Sequence, residues 1–282
     1  MDCYLCKNNS HSLIKDRVRD RENIKVLKCN NCGLVFLDKN EHINPGFYEE
    51  GGMGKSISFG SIAADTDKID TEKRFNLHKE FFKNKRILDF GCGKGSLLKK
   101  IKESNISLEL FALEPDKKCR DFLEKDFKVF SSIEEIPDKT LDVITLFHVM
   151  EHLKDPLTVL NLLYPKLAAG GKIIIEVPSS TDVLLHLYDC KAFSDFTYWS
   201  CHLYLFDQTT LKTLLEKTNF KTHSIRQYQR YTLANHLHWL SKGKPAGHIE
   251  WAFLDNETLQ AEYEKKLAEI GQCDSLLAII EE

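Results

Sequence analysis

From residue 86 to residue 178, short apolar runs alternate with segments whose apolar residues recur every three or four positions. Ile87, Leu88 and Phe90 form the first run, and Leu97, Leu98 and Ile101 then share one helical face. The pattern predicts strand 86–90, helix 95–104, strand 108–113, helix 116–125, strand 127–130, strand 141–147, helix 156–168 and strand 172–178. Strands alternating with helices imply a parallel, doubly wound α/β sheet with right-handed crossovers. Asp155-Pro156 is a helix entry, an N-cap acid with proline in the first turn. Gly170-Gly171 reads as the end of that helix.

Either side of this stretch the pattern is less regular. Residues 179–206 form an insertion carrying Tyr188, Phe193, Phe196, Tyr198, Trp199, Tyr204 and Phe206. Asp207 is expected to cap a helix running through Thr218, followed by strand 219–228. The acidic tail from Glu250 reads as helical, with Leu259, Tyr263, Leu267 and Ile270 on one face for the core or a second subunit, so a homodimer is an option. Upstream, Ile24–Leu27 and Leu34–Leu37 read as short strands. Gly51-Gly52-Met53-Gly54 suggests a mobile turn, and Phe75, His78, Phe81 and Phe82 a helix over a cleft. The organisation expected is a ribbon at 1–45, a connector and cap helix at 46–85, a core at 86–230 containing the insertion, and a helical extension at 231–282.

The first predicted strand carries Asp89 near its end and breaks into Gly91-Cys92-Gly93-Lys94-Gly95. A strand–glycine turn–helix lets a ligand lie against bare backbone. The spacing is Gly-x-Gly-x-Gly, so the third glycine of the dinucleotide fingerprint would fall at Ser96. Such a turn suits a ligand without phosphates. Glu114 follows the second strand, where a carboxylate accepts hydrogen bonds from ribose hydroxyls. With Asp89 before the turn and Glu114 after the next strand, the segment resembles the class I S-adenosylmethionine (SAM) methyltransferases over about residues 75–230. The resemblance implies a Rossmann-like fold with SAM as methyl donor. It implies that Asp89, Gly91 and Gly93 hold the methionine part and Glu114 the ribose, with Cys92 in the turn and Phe147 at the fourth strand's tip lining the cofactor.

Cys3-x-x-Cys6 and Cys29-x-x-Cys32 let four thiolates converge on a tetrahedral ion, and Gly33 allows a tight turn after the second pair. The 22 residues between the pairs slightly exceed the usual separation. A structural Zn2+ on Cys3, Cys6, Cys29 and Cys32 is expected, with disulfides or packed thiols as the alternatives. His148-Val149-Met150-Glu151-His152 matches an inverted zinc-protease signature, but that chemistry needs both histidines on one regular helix. Here the segment starts at a strand tip, where open α/β sheets bind ligands. His148 is the candidate general base, with His152 and, in the insertion, His202 behind it. The competing role for His148 is to shape the pocket or to bond Glu151.

The composition, 42% hydrophobic and 29% charged, is that of an ordinary globular chain. No run approaches the roughly 20 apolar residues of a membrane span. Nine cysteines without a visible export signal suggest a reducing, cytoplasmic setting. A formal charge of −3 gives no footprint for nucleic acid. The ribbon, the insertion and the tail resemble methyltransferases of bacterial sugar and surface-polysaccharide modification. A small-molecule acceptor, such as a nucleotide-sugar, is therefore the first expectation. The alternatives are an RNA methyltransferase, using Lys15, Arg17, Arg19, Arg21, Lys25 and Lys28 of the ribbon, and a non-catalytic SAM- or metal-binding scaffold.

Overall fold

The structure is a computed structural model and describes residues 2–44, 46–52 and 60–282. Met53 and Gly54 of the expected mobile turn lie outside the described residues. The chain packs as two compact units, Met1–His42 with Glu176–Leu214 and Ser224–Ala278, and Ile43–Ile175 with Leu215–His223 and Ile279–Glu282.

In chain order the elements begin with β1 (His11–Lys15), β2 (Val26–Cys29), β3 (Val35–Leu37), α1 (Gly60–Phe82), β4 (Arg86–Phe90), α2 (Ser96–Ser104) and β5 (Glu109–Leu113). Next come α3 (Lys117–Leu123), β6 (Lys128–Phe130), β7 (Leu141–Phe147), α4 (Pro156–Leu163), β8 (Leu167–Pro178), α5 (Val183–His186) and α6 (Lys191–Thr197). The rest are β9 (Tyr204–Leu205), α7 (Gln208–Leu215), β10 (Lys221–Tyr228), α8 (Leu233–Lys242), α9 (Gly247–Glu250), α10 (Glu257–Glu269) and β11 (Ser275–Glu281).

The larger sheet has the order β10-β11-β8-β7-β4-β5-β6. β4 pairs in parallel with β5 and β7, and β5 with β6, which fits the near-continuous apolar runs of these strands. Asp89 is in register with Thr145 on β7 and Ala112 on β5. α2 buries Leu97, Leu98 and Ile101, as its spacing predicts, and Leu98 meets Ala112, Leu123 and Phe127 in one apolar cluster.

The sequence reading needs correction at three places. Helix 156–168 ends early: α4 stops at Leu163, because Pro165 has no amide hydrogen to continue the ladder. β8 then begins at Leu167, so Gly170-Gly171 lies inside the strand rather than ending a helix. The tail is helical only to Glu269. β11 follows, buried from Ser275 to Ile280, and five consecutive apolar residues there carry no alternation to mark a strand. β11 runs antiparallel to β8: the Ser179 amide donates to the Asp274 carbonyl, and the Glu282 amide to the Gly171 carbonyl.

The ribbon strands lie in a four-stranded sheet, β1-β2-β3-β9, in which β9 comes from the aromatic insertion. Its neighbouring strands pair antiparallel, with Leu13 opposite Leu27, Val26 opposite Leu37 and Val35 opposite Leu205. The segment 1–45 therefore shares its sheet with residues far along the chain. Most insertion aromatics are core: Phe193, Tyr198, Trp199, Tyr204 and Phe206 are all buried.

Beside β11, the buried Asp274 carboxylate accepts from Gln229 Nε2 at 2.6 Å and from the amides of Arg230 and Tyr231 at 3.0 and 2.9 Å. Asp274→Ala strands these donors without water. The expected loss is about 3 kcal/mol or more, read by urea unfolding. A change below about 0.5 kcal/mol would contradict this role.

Candidate functional site

The chain leaves β4 at Phe90, turns through Gly91–Gly95 and enters α2. The Gly91 amide donates to the Leu113 carbonyl at 2.7 Å, which sets the turn against the end of β5. Gly93 has φ +56, and a Cβ built on it would meet nothing within 4 Å. Its open side is therefore free for a ligand to approach the backbone. The Gly93 amide donates to Glu114 Oε2 at 2.7 Å, and the Asp116 amide to Glu114 Oε1 at 2.9 Å. A carboxylate has about four acceptor sites, so each oxygen keeps capacity for a hydroxyl. Burial pushes the Glu114 carboxyl above its ordinary range, opposed by these two amide bonds.

Two cavities flank the turn, and Gly91, Gly93 and Lys94 line both. The first, about 500 Å3, is lined by Asp89, Cys92 and Phe147 together with Thr71 and Arg74 of α1. Asp89 is 6% exposed and accepts from the Thr145 hydroxyl at 2.7 Å. Burial pushes its carboxyl up to about 6, helped by the Glu114 charge and opposed by Thr145 and Arg74. Phe147 stacks on His78 at 5.6 Å, and the Arg74 guanidinium lies 5.0 Å from the Phe147 ring. Burial, then the charges of Asp89 and Glu114, push the Cys92 thiol up, which favours its protonated form.

The second cavity, about 350 Å3, is lined by Glu114, Asp116, His148, His152 and Tyr48. His148 follows β7 with φ 55, a left-handed conformation that costs a non-glycine residue about 1 kcal/mol or more. Its Nδ1 lies 3.0 Å from Glu151 Oε1. Met150–His152 then form a single 3-10 turn, not the regular helix a zinc protease needs. The Tyr48 hydroxyl donates to the His152 carbonyl at 3.0 Å, and the Lys117 amide to the Glu49 carbonyl at 3.4 Å. Segment 46–52 is thus tied down where the sequence shows only a polar connector.

All six residues expected at the cofactor line one or the other cavity, and both histidines line the second. The sequence reading missed Tyr48, Thr71, Arg74 and Lys94. Tyr48 and α1 precede the alternating pattern, and Lys94 is masked by the glycines around it.

In the other unit, the four cysteine sulfurs lie within 4.8 Å of one another. Cys3 Sγ is 3.6 Å from Cys32 Sγ and Cys6 Sγ 3.5 Å from Cys29 Sγ. These separations exceed the ~2.05 Å of a disulfide and approach the roughly 3.8 Å edge of a tetrahedron with ~2.3 Å Zn–S bonds. The two pairs sit in matching turns. Cys3 and Cys29 donate their amides to Asn8 and Leu34, and accept from Lys7 and Gly33 through their carbonyls. Lys7 and Gly33 are both left-handed, at φ 62 and 86. The donor set fits a structural zinc with no open position. Among the ribbon cations, Lys15 pairs with Asp195 at 2.5 Å, Arg17 with Glu22 at 3.4 Å, and Arg19 packs over Phe196 and Trp199. No described helix is long and apolar enough to cross a membrane.

Comparison with known proteins adds relatives to this geometry. The tRNA U34 carboxymethyltransferase of Nautilia profundicola is 29% identical over 170 residues, covering 55% of this chain and 56% of that protein. The chain thus spans about half the length of that curated relative. A SAM-dependent methyltransferase from Archaeoglobus fulgidus shares the fold with a TM-score of 0.52 at 22% identity, over 77% of this chain and 94% of that one. A chain from the complex of the Haloferax volcanii Trm112 methyltransferase activator with a methyltransferase gives 0.51 at 12% identity, over 78% and 94%. None of these descriptions names a sugar, so the expected likeness to polysaccharide-modifying enzymes gains no support. A methyltransferase-domain model matches residues 66–225, more than half of the 282, so the chain belongs to that methyltransferase-domain family.

Proposed function

We propose that the donor lies across Gly91–Gly93, with its ribose on Glu114 and its amino-acid end beside Asp89. The observation that carries this is the Glu114 carboxylate, braced by Gly93 and Asp116 next to a glycine whose open side is empty. When bound, SAM supplies an electrophilic methyl group on a sulfonium. The protein's task is then to align, to exclude water and to accept one proton. His148 is the base: an acceptor O–H or N–H gives its proton to the imidazole while its lone pair forms the bond to the methyl carbon. The C–S electron pair stays on sulfur, leaving S-adenosylhomocysteine. His152, whose ring also lines the cavity, is the secondary candidate. Cys3, Cys6, Cys29 and Cys32 hold a structural Zn2+.

For the acceptor we favour RNA, because the Nautilia relative is named for a tRNA substrate. A small sugar-derived acceptor is the second reading, favoured by the charge of −3 and by the ribbon cations already held by Asp195, Glu22 and the aromatic rings. The test is incubation with labelled SAM and, in parallel, bulk tRNA and a panel of nucleotide-sugars. Labelled tRNA, with binding that falls steeply as salt rises, is expected. Label on a nucleotide-sugar and none on tRNA would reverse the order of the two readings.

The buried Asp89 sets a pH dependence. Its carboxyl is raised from 3.8 to about 6, so burial favours the protonated form. That contribution to folding is complete below about pH 3.8 and is lost as pH rises through about 6. A cationic ligand group beside Asp89 favours the ionised form, so binding at low pH must expel the proton. SAM affinity is expected to be flat above about pH 7 and to fall below about pH 6, by up to about tenfold per unit. Calorimetry between pH 5 and 8 checks this. Constant affinity over that range would remove Asp89 from the binding account.

A further inference from the structure

We infer that Glu151 is a positioning residue that fixes the tautomer of His148, an inference that rests on His148 being the base proposed above. The Glu151 side chain is completely buried and its Oε1 lies 3.0 Å from His148 Nδ1. The same oxygen is 3.9 Å from His152 Nε2, too far for a hydrogen bond, and both imidazoles line the cavity beside Glu114.

A carboxylate only accepts hydrogen bonds, so the Nδ1 facing it must carry the hydrogen. A neutral imidazole has one N–H, and the lone pair is thereby left on Nε2. The local backbone enforces this arrangement. The left-handed φ of His148 and the 3-10 turn at Met150–His152 bring residues three apart to hydrogen-bonding distance. The His148 side chain is 20% exposed, against 0% for Glu151, so the base reaches solvent while its partner does not. The other titratable groups lining this cavity are Tyr48, Lys94, Glu114, Asp116, Cys119 and His152. The Glu151 carboxylate lies at hydrogen-bonding distance from the His148 ring.

The first step of the test is His148→Asn, since asparagine tolerates a left-handed backbone. It should lower kcat at least about a hundredfold with SAM affinity retained. Near-normal turnover would defeat the base reading itself. The second step is Glu151→Gln, whose amide can donate to Nδ1 and so allow the wrong tautomer. A fall in kcat of about thirtyfold or more is expected, with KM for SAM within about threefold. Removing the negative charge makes His148 less basic, so the acid limb of the pH–rate profile should move to lower pH. Glu151→Asp should recover part of the rate. An inactive His148→Asn together with a wild-type profile for Glu151→Gln would overturn the role of Glu151 alone. Should Glu151→Gln fail to fold, nitrogen-15 NMR of the wild type decides. A protonated Nδ1 and a bare Nε2 on His148 are expected, and the opposite tautomer would refute the inference.

Discussion

Glu114→Ala is expected to weaken SAM binding about a thousandfold while leaving the protein folded. The carboxylate accepts the amides of Gly93 and Asp116 and, in the proposed complex, the ribose hydroxyls as well. Charge-assisted hydrogen bonds contribute about 1.5–3 kcal/mol each, so losing two to a ligand removes roughly 4 kcal/mol. Alanine also loosens the turn, because the Gly93 amide loses its acceptor, while the bond from the Gly91 amide to the Leu113 carbonyl of β5 remains. Glu114→Gln keeps one carbonyl oxygen but turns an NH2 group toward a donor, so an intermediate loss of about tenfold to a hundredfold is expected. The amides of Gly93 and Asp116 lose their acceptor in the alanine variant, so a fall in apo stability of about 1–3 kcal/mol is expected as well. Calorimetric titration with SAM reads the effect, and an alanine variant that binds within about threefold of wild type would contradict the assignment.

The second large effect belongs to the cysteines. Four sulfurs within 4.8 Å, in two turns of matching hydrogen-bond pattern, form the candidate site of the proposed zinc, whose binding would be coupled to folding. Structural zinc contributes about 10–16 kcal/mol of apparent binding free energy in small zinc-finger peptides. Here the ribbon also shares a sheet with β9, so part of its stability comes from packing. Cys3→Ala, or removal of metal by a strong chelator, is expected to lower the unfolding midpoint by more than about 10 °C, and the purified protein should contain one zinc per chain. Fully stable, metal-free protein with four titratable thiols would refute the zinc reading.

What the sequence made legible follows from where one local rule dominates. β4 and β7 lie in the middle of the larger sheet and α2 directly follows β4, and their apolar periods give their bounds within a residue. The places of Asp89, Gly93 and Glu114 at strand ends and in a turn were legible because turn chemistry and strand ends are local. β11 was not, since its burial comes from strands distant in sequence. Likewise nothing in residues 1–45 says that Val35 pairs with Leu205. Tyr48 and Arg74 stand outside any periodic pattern, and only the fold brings them to the cavities. The insertion's aromatic residues are legible as apolar, whereas the burial of Phe193, Trp199 and Tyr204 is set by the fold.

The most direct measurement is a crystal structure of the protein soaked with S-adenosylhomocysteine. The adenosyl group should lie against Gly93, with both ribose hydroxyls within about 3.2 Å of the Glu114 carboxylate. A nucleoside bound elsewhere, or a ribose more than about 5 Å from Glu114, would contradict the account at its root.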